Sequence, residues 1–250
     1  MSTHLHRKAS IWGAFFVLGQ LLFVAAYAEA VAVGRVVDGD TLHLADGRKV
    51  RLVGINAPEL GWHERPDQPL ARAARQALQA LVGGQPVRLR FGPDRYDHHG
   101  RTLAYVESAE GISAGQHLLR KGLAVLVAIP PNLEHLSAYR RAETEARRAR
   151  RGIWAEAYYR PIPANRLDRD DTGFRFVSGT IEHVGQSRKY IYLDLTPVFA
   201  IAISRDNWHY FGGDPNRLQG KQVLVRGWIS LWHDKLRVRI GHPAMIEIKD

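Results

Sequence analysis

The tightest constraint on the fold lies between Val31 and Ile55, where valine-rich alternation is interrupted by turn formers at Asp38-Gly39 and Asp46-Gly47. Val31 to Val37, Thr41 to Leu44 and Val50 to Ile55 read as three strands. The connection through Asp46-Gly47 decides how the last two pair. A two-residue loop would put Leu42 and Leu44 on the same face as Lys49 and Arg51. A three-residue loop, Ala45-Asp46-Gly47, instead pairs Leu42 with Val50 and Asp40 with Leu52, with Gly47 in the left-handed position. The hydrophobic pattern favours that register. It sets Thr41 opposite Arg51, away from the core and next to the acidic run Asp38-Gly39-Asp40.

Downstream, Leu60 to Pro69 is a polar loop, and Leu70, Ala74, Ala77, Leu78 and Leu81 fall at helical spacing before Gly83-Gly84. Val87 to Phe91 and Leu103 to Val106 are strands flanking the loop Gly92 to Gly100. Ser113 to Lys121 is a short helix stopped at Gly122. Leu136, Tyr139, Ala142, Ala146 and Ala149 mark a longer helix, whose arginines, Arg140 to Arg151, read as a solvated face. Tyr158 to Gly173 carries prolines and mixed charge without periodicity. The texture beyond is all-β, with about five strands, as in an OB-type barrel. The expected organisation is a β-rich α+β domain over residues 31–157, a linker over 158–172 and a small, OB-type all-β domain over 173–250.

The formal net charge is +10, shared between both halves of the chain, and a polyanion such as DNA or RNA suits such a surface. Cysteine is absent, which excludes disulfides and thiolate-ligated metals. Arg7 and Lys8 precede an apolar run from Ile11 that ends in Ala26-Tyr27-Ala28, with a second small-residue option at Ala28-Glu29-Ala30. This pattern fits a secretory leader over residues 1–28. It implies a secreted or periplasmic protein without stable membrane association after cleavage. An uncleaved membrane anchor is the alternative.

Chemistry-bearing residues gather in the first domain. Asp40, the side-chain oxygen of Asn56 and the backbone carbonyl of Ala57 can ligate a metal, and Glu59 can reach a water beside it. Arg51 and Arg101 can each fork onto phosphate oxygens, which lysine cannot do. Oxygen-only ligation points to Ca²⁺ or another hard divalent ion. Phosphodiester hydrolysis needs such parts: an activated water, a cation, and donors on the non-bridging oxygens. Taken singly, Asp38-Gly39-Asp40 is an ordinary turn and each arginine an ordinary strand residue. Their joint order and spacing favour a site.

Five ordered pieces carry a resemblance: VVDGDT (36–41), VRLVGINAPE (50–59), HHGRTLAYV (98–106), LLRKGLAV (118–125) and RRGIWAE (150–156). Across roughly Val31 to Glu156 the chain resembles the staphylococcal nuclease (thermonuclease-like) family. The resemblance implies an OB-type barrel with three helices and cleavage of DNA and RNA with Ca²⁺, leaving 3′-phosphate and 5′-hydroxyl ends. It implies that Asp40 binds metal, Glu59 is the general base, and Arg51 and Arg101 bind phosphate. Asn56 departs from the pattern, standing where members commonly have a second metal-ligating aspartate, so weaker ion binding is expected. The stretch LAVLVAIPPN after Gly122 lacks nucleotide-contacting tyrosines. The rival reading is a nucleic-acid or polyanion-binding protein whose catalysis Asn56 has weakened. In the second domain Lys235, Arg237 and Arg239 share one strand face near Trp228 and Trp232. That pattern fits either a single-strand groove or a tryptophan core with solvated basics.

Overall fold

The structure is a computed structural model, and it describes residues 29–249; the leader-like run 1–28 lies outside the described residues. The first body opens with β1 (Glu29–Val31), β2 (Val33–Val36), β3 (Thr41–Leu44), β4 (Lys49–Leu52) and β5 (Ile55–Asn56). Helix α1 (Ala71–Val82), β6 (Val87–Arg90), β7 (Thr102–Glu107), α2 (Ala114–Lys121), β8 (Val125–Leu126) and α3 (Leu136–Arg148) follow. Six of these strands form one curled sheet in the order β1-β6-β7-β4-β3-β2, in which β4 and β7 run parallel. The body is thus β-rich α+β.

The hairpin adopts the register that buries Leu42 and Val50: Thr41 faces Arg51, Leu42 faces Val50 and His43 faces Lys49. Gly47 takes φ +92°. Thr41 stands opposite Arg51 and beside the acidic run, hydrogen-bonded to Asp40, but this side of the hairpin is covered and Thr41 is buried. The strand expected to run to Ile55 breaks at Gly54, whose φ of +84° disfavours any side chain. A Cβ there would also lie 2.8 Å from the Tyr139 ring. The break turns Ile55-Asn56 away from the sheet to pair with β8, and this bend carries Asn56 and Ala57 back towards Asp40.

The helices cover the core through their apolar faces. Helix α1 buries Ala74, Leu78 and Val82, and α3 buries Tyr139, Ala142 and Ala146. Ser113 caps α2 by accepting the Gln116 N–H at 3.4 Å, and Gly122 ends it at φ +67°.

After α3 come β9 (Ile162–Pro163), β10 (Gly173–Thr180), β11 (His183–Gln186), β12 (Tyr190–Thr196), β13 (Phe199–Ser204), β14 (Gln222–Trp232), β15 (Lys235–Ile240) and β16 (Ile246–Lys249). They form an all-β second body in the order β11-β12-β13-β15-β14-β10-β9, with β16 also on β14 and with β13 and β15 parallel. Within the stretch 158–172, β9 adds a short parallel strand to β10.

The two bodies meet along α3. Glu143, buried on the inner side of that helix, accepts from Arg226 at 2.6 Å and from the Leu126 N–H at 2.8 Å. Arg147 is not a solvated arginine as its helix face suggested. It pairs with Glu247 of β16 and lies 5.0 Å from the Trp154 ring. Trp154 in turn meets Phe176 edge-on at 5.7 Å. Removing either partner of the Glu143–Arg226 pair would leave the other charge buried and unpaired, at a cost of roughly 3–5 kcal/mol.

Candidate active site

The cleft-facing cluster begins with the turn between β2 and β3. Asp38 accepts the Asp40 N–H at 2.9 Å and so folds the acidic run back on itself. The turn also needs Gly39, because a Cβ there would sit 2.6 Å from the Ala57 Cβ and 2.7 Å from the Ala74 Cβ. Asp40 is 3% exposed. Its Oδ2 accepts the Ala57 N–H at 2.6 Å and stands 2.9 Å from Arg51 Nη1, while Oδ1 accepts from the Thr41 hydroxyl at 3.1 Å. Arg51 reaches across with Nη2 to Asn56 Oδ1 at 3.2 Å. One guanidinium therefore ties Asp40 to Asn56.

Burial pushes the Asp40 carboxyl up to about 7; Arg51 opposes the shift, whereas Asp38 and Glu59 reinforce it. Glu59 lies exposed at the mouth of the cleft, yet lost solvation and the Asp38 charge also raise its pKa, against the pull of Arg51 and Arg101. The cluster thus holds more carboxylate than its arginines neutralise, a surplus that a cation would relieve. All the donors aimed there are oxygens, which suits a hard ion. Among the described residues no group of three His, Asp or Glu side chains is placed to hold an ion. Water would therefore have to complete its coordination.

Arg51, Asn56, Glu59 and Arg101 line a single cleft of about 620 Å³. Asp40 and Ala57 are not on its wall; they stand behind Arg51 and Asn56. Arg101 is held by Asp97, which accepts its backbone N–H at 2.9 Å and its Nε at 2.7 Å. Burial opposes ionisation of Asp97, but these bonds outweigh it and keep its pKa low. An acid four residues ahead of a loop arginine was the signal for this brace. His98 and His99 also line the cleft, as does Tyr96, which is 69% exposed.

The far wall contains a residue that no local pattern assigns to this place. Trp228, on β14 of the second body, lines the same cleft as Glu59 and Arg101. It is separated from them in sequence by more than a hundred residues.

Comparison with known proteins places these residues in a wider set. Residues 49–156 match the family described as staphylococcal nuclease homologue. The thermonuclease of Staphylococcus intermedius is 35% identical over 129 residues, which cover 50% of this chain and 76% of that protein. The thermonuclease of Staphylococcus hyicus is 30% identical over 133 residues, covering 52% and 78% respectively. Endonuclease YncB of Bacillus subtilis (strain 168) is 34% identical over 134 residues, covering 52% and 63%. The family match ends at residue 156 and so leaves out the second body.

Proposed function

Since the chain belongs to the staphylococcal nuclease homologue family and is a phosphodiester-cleaving nuclease, we propose that its reaction runs in the cleft between Arg51, Glu59 and Arg101. The supporting observation is that Arg51, Asn56, Glu59 and Arg101 open onto one cavity, with Asp40 fixed behind Arg51. Glu59, its pKa raised, takes a proton from a water. The water oxygen attacks phosphorus, the bond to the 5′ oxygen breaks, and that oxygen takes a proton from solvent. The products carry a 3′-phosphate and a 5′-hydroxyl. Arg51 and Arg101 donate to the non-bridging oxygens, where negative charge grows. Asp40 and Asp97 hold the two guanidinium groups in position, so little reorganisation accompanies the reaction.

Asp40, Asn56 and the Ala57 carbonyl would hold a Ca²⁺ ion, which when bound supplies positive charge to a phosphate oxygen. Asn56 contributes an uncharged oxygen already engaged by Arg51, so this ion would be weakly held. DNA and RNA are both substrates on this reading, since the cluster addresses phosphate rather than base. The second body is read as a second OB-type barrel, on the strand order it shares with the first. The enzyme is read as exported, on the leader-like run ending Ala26-Tyr27-Ala28. Among the described residues no helix is long and apolar enough to cross a membrane.

The test is cleavage of single-stranded DNA, duplex DNA and RNA across Ca²⁺, Mg²⁺ and Mn²⁺, with a chelator control and end-labelling of the products. Products that a kinase labels directly at the 5′ end, formed only with added ion and lost in Glu59→Gln, support the assignment. Cleavage that survives both chelation and Glu59→Gln overturns it.

A further inference from the structure

On the second body, β12, β13, β15 and β14 lie side by side. Alternation and register put Tyr190 and Tyr192, Ala200 and Ala202, Arg237 and Arg239, and Trp228 and Trp232 on one face. The opposite face is the core, holding Leu193, Ile201, Val238 and Ile229. The outward arginines lie over rings. The Arg237 guanidinium is 5.2 Å from the Tyr192 ring and 6.0 Å from the Trp232 ring, and that of Arg239 is 5.7 Å from Tyr190. Arg237 Nε is buried without a hydrogen-bond partner. Asp194, the carboxylate on this face of β12, is taken up by His183 at 3.1 Å.

Between the arginine and tyrosine rows lie Ala200 and Ala202, both buried and small enough for Arg237 and Arg239 to cross over them to the tyrosine rings, so the surface a strand would meet is made of the arginines and rings themselves. At the far edge, the exposed turn before β12 adds Arg188 and Lys189. At the near edge, Trp228 is 41% exposed, meets Phe174 edge-on at 5.1 Å, and lines the cleft that holds Arg51, Glu59 and Arg101. Three strand-to-strand steps of about 4.8 Å separate the two edges, enough to seat a few nucleotides.

We infer that this face is a track for single-stranded nucleic acid, and that Trp228 stacks on a base at the seam where the strand enters the nuclease cleft. The inference rests on the phosphodiesterase reading of the cleft and names the form of substrate it takes. Flat rings give unpaired bases a stacking surface without regard to sequence, and arginines beside them meet the intervening phosphates. A duplex hides its base faces, so the rings would gain nothing from it. Trp228 and Trp232 are open to solvent, which leaves the core reading of these tryptophans without support.

The test uses the full chain with Glu59→Gln added to stop turnover. Fluorescence anisotropy with a labelled 12-nucleotide oligothymidine and a duplex of equal length reports affinity. Tighter binding of the single strand is expected, weakened about tenfold or more by Trp228→Ala and largely rescued by Trp228→Phe. Arg237→Ala with Arg239→Ala should lower the slope of log affinity against log salt by about 1.4. In the turnover-competent chain, the same arginine pair should raise KM for the single strand. Should the double variant fail to fold, Trp232→Ala, 49% exposed, probes the same track alone. Equal affinity for the two forms, or no effect of Trp228→Ala, overturns the inference. A nitrophenyl diester of one nucleotide, too short to reach the track, separates the two readings. If the wild-type chain cleaves it while the track variants bind the strand unchanged, the track is wrong and the cleft reading stands. If nothing is cleaved yet binding still depends on Trp228, the track stands and the cleft reading fails.

Discussion

The two bodies share one wiring and use it differently. In each, a first strand is broken in two (β1 and β2, β10 and β11), its halves flank the other four strands, and the third and fifth strands run parallel, β4 with β7 and β13 with β15; in the second body β9 is added beyond β10. In the first body the turn into the second strand carries Asp38 and Asp40, and the third strand answers with Arg51. In the second body the same turn is Ser187-Arg188-Lys189, and the third strand offers Ala200 and Ala202. Acids facing an arginine can hold a cation and a phosphate together. Basic residues facing alanines and rings can hold only the strand. The architecture supplies a curled sheet with an exposed turn, and the side chains at that turn decide between chemistry and grip.

The largest effect that would sharpen this contrast is expected from Glu59→Gln, which should lower kcat by about 10²–10⁴-fold and leave thermal unfolding in place. Glutamine keeps the shape of the side chain, and among the described residues the Glu59 carboxylate has no hydrogen bond to lose with its charge, so the fold should be spared. Retention of full turnover would remove Glu59 from the chemistry that is read as setting the first body apart from the second.

Next in size is the seam. Arg226→Met strands Glu143 in a dry contact and should cost about 3–5 kcal/mol, read as a lowered denaturant midpoint. Adding Glu143→Leu should recover much of that loss, because replacing both charges removes the unpaired one. Asp40 and Arg51 are a buried pair of the same chemistry, but they border an open cleft with two further acids nearby. A smaller change, Asn56→Asp, adds a charge to this cluster and should lower the half-saturating Ca²⁺ concentration about tenfold. No shift in that titration would remove Asn56 from the ion's surroundings.

Local chemistry was legible from the sequence; long-range packing was not. The Leu42–Val50 register followed from alternation plus a glycine, since a one-residue slip would expose the whole apolar row. Helix α2 followed from Ser113 at one end and Gly122 at the other. Asp40, Arg51, Asn56 and Ala57 sit within one hairpin and its bend, so their spacing nearly determines their meeting. The bend itself was hidden, because nothing in the alternating run marks the φ of +84° that Gly54 takes or its close fit against Tyr139, eighty-five residues later. Arg147 read as solvated because its partner, Glu247, lies on β16, a strand too short and too charged to announce itself. Trp228 belonged to a plausible groove in sequence, but only the docking of β14 beside α3 brings it to the cleft.

The smallest expected effect concerns how firmly the second body is held. Burial works against ionisation of Glu247, yet hydrogen bonding and charge from Arg147, helped by Arg226 and Lys249, bring its pKa below the usual 4.5. A carboxylate whose folded pKa is depressed stabilises the fold above its unfolded value and loses that contribution as pH falls through the folded one. The pair with Arg147 should therefore contribute fully above about pH 5 and fade below 4.5. Both side chains are more than a third exposed, so solvent screening limits the contribution to under about 1 kcal/mol. That corresponds to a difference of about 2 °C between wild type and Glu247→Gln at pH 7. As pH falls through the depressed folded pKa the difference should shrink towards zero, because Glu247 is then protonated in the folded as well as the unfolded chain. If the Glu247 gap persists unchanged in acid, its contribution is packing rather than charge, and the seam is held by Glu143 and Trp154 without help from the outer pair.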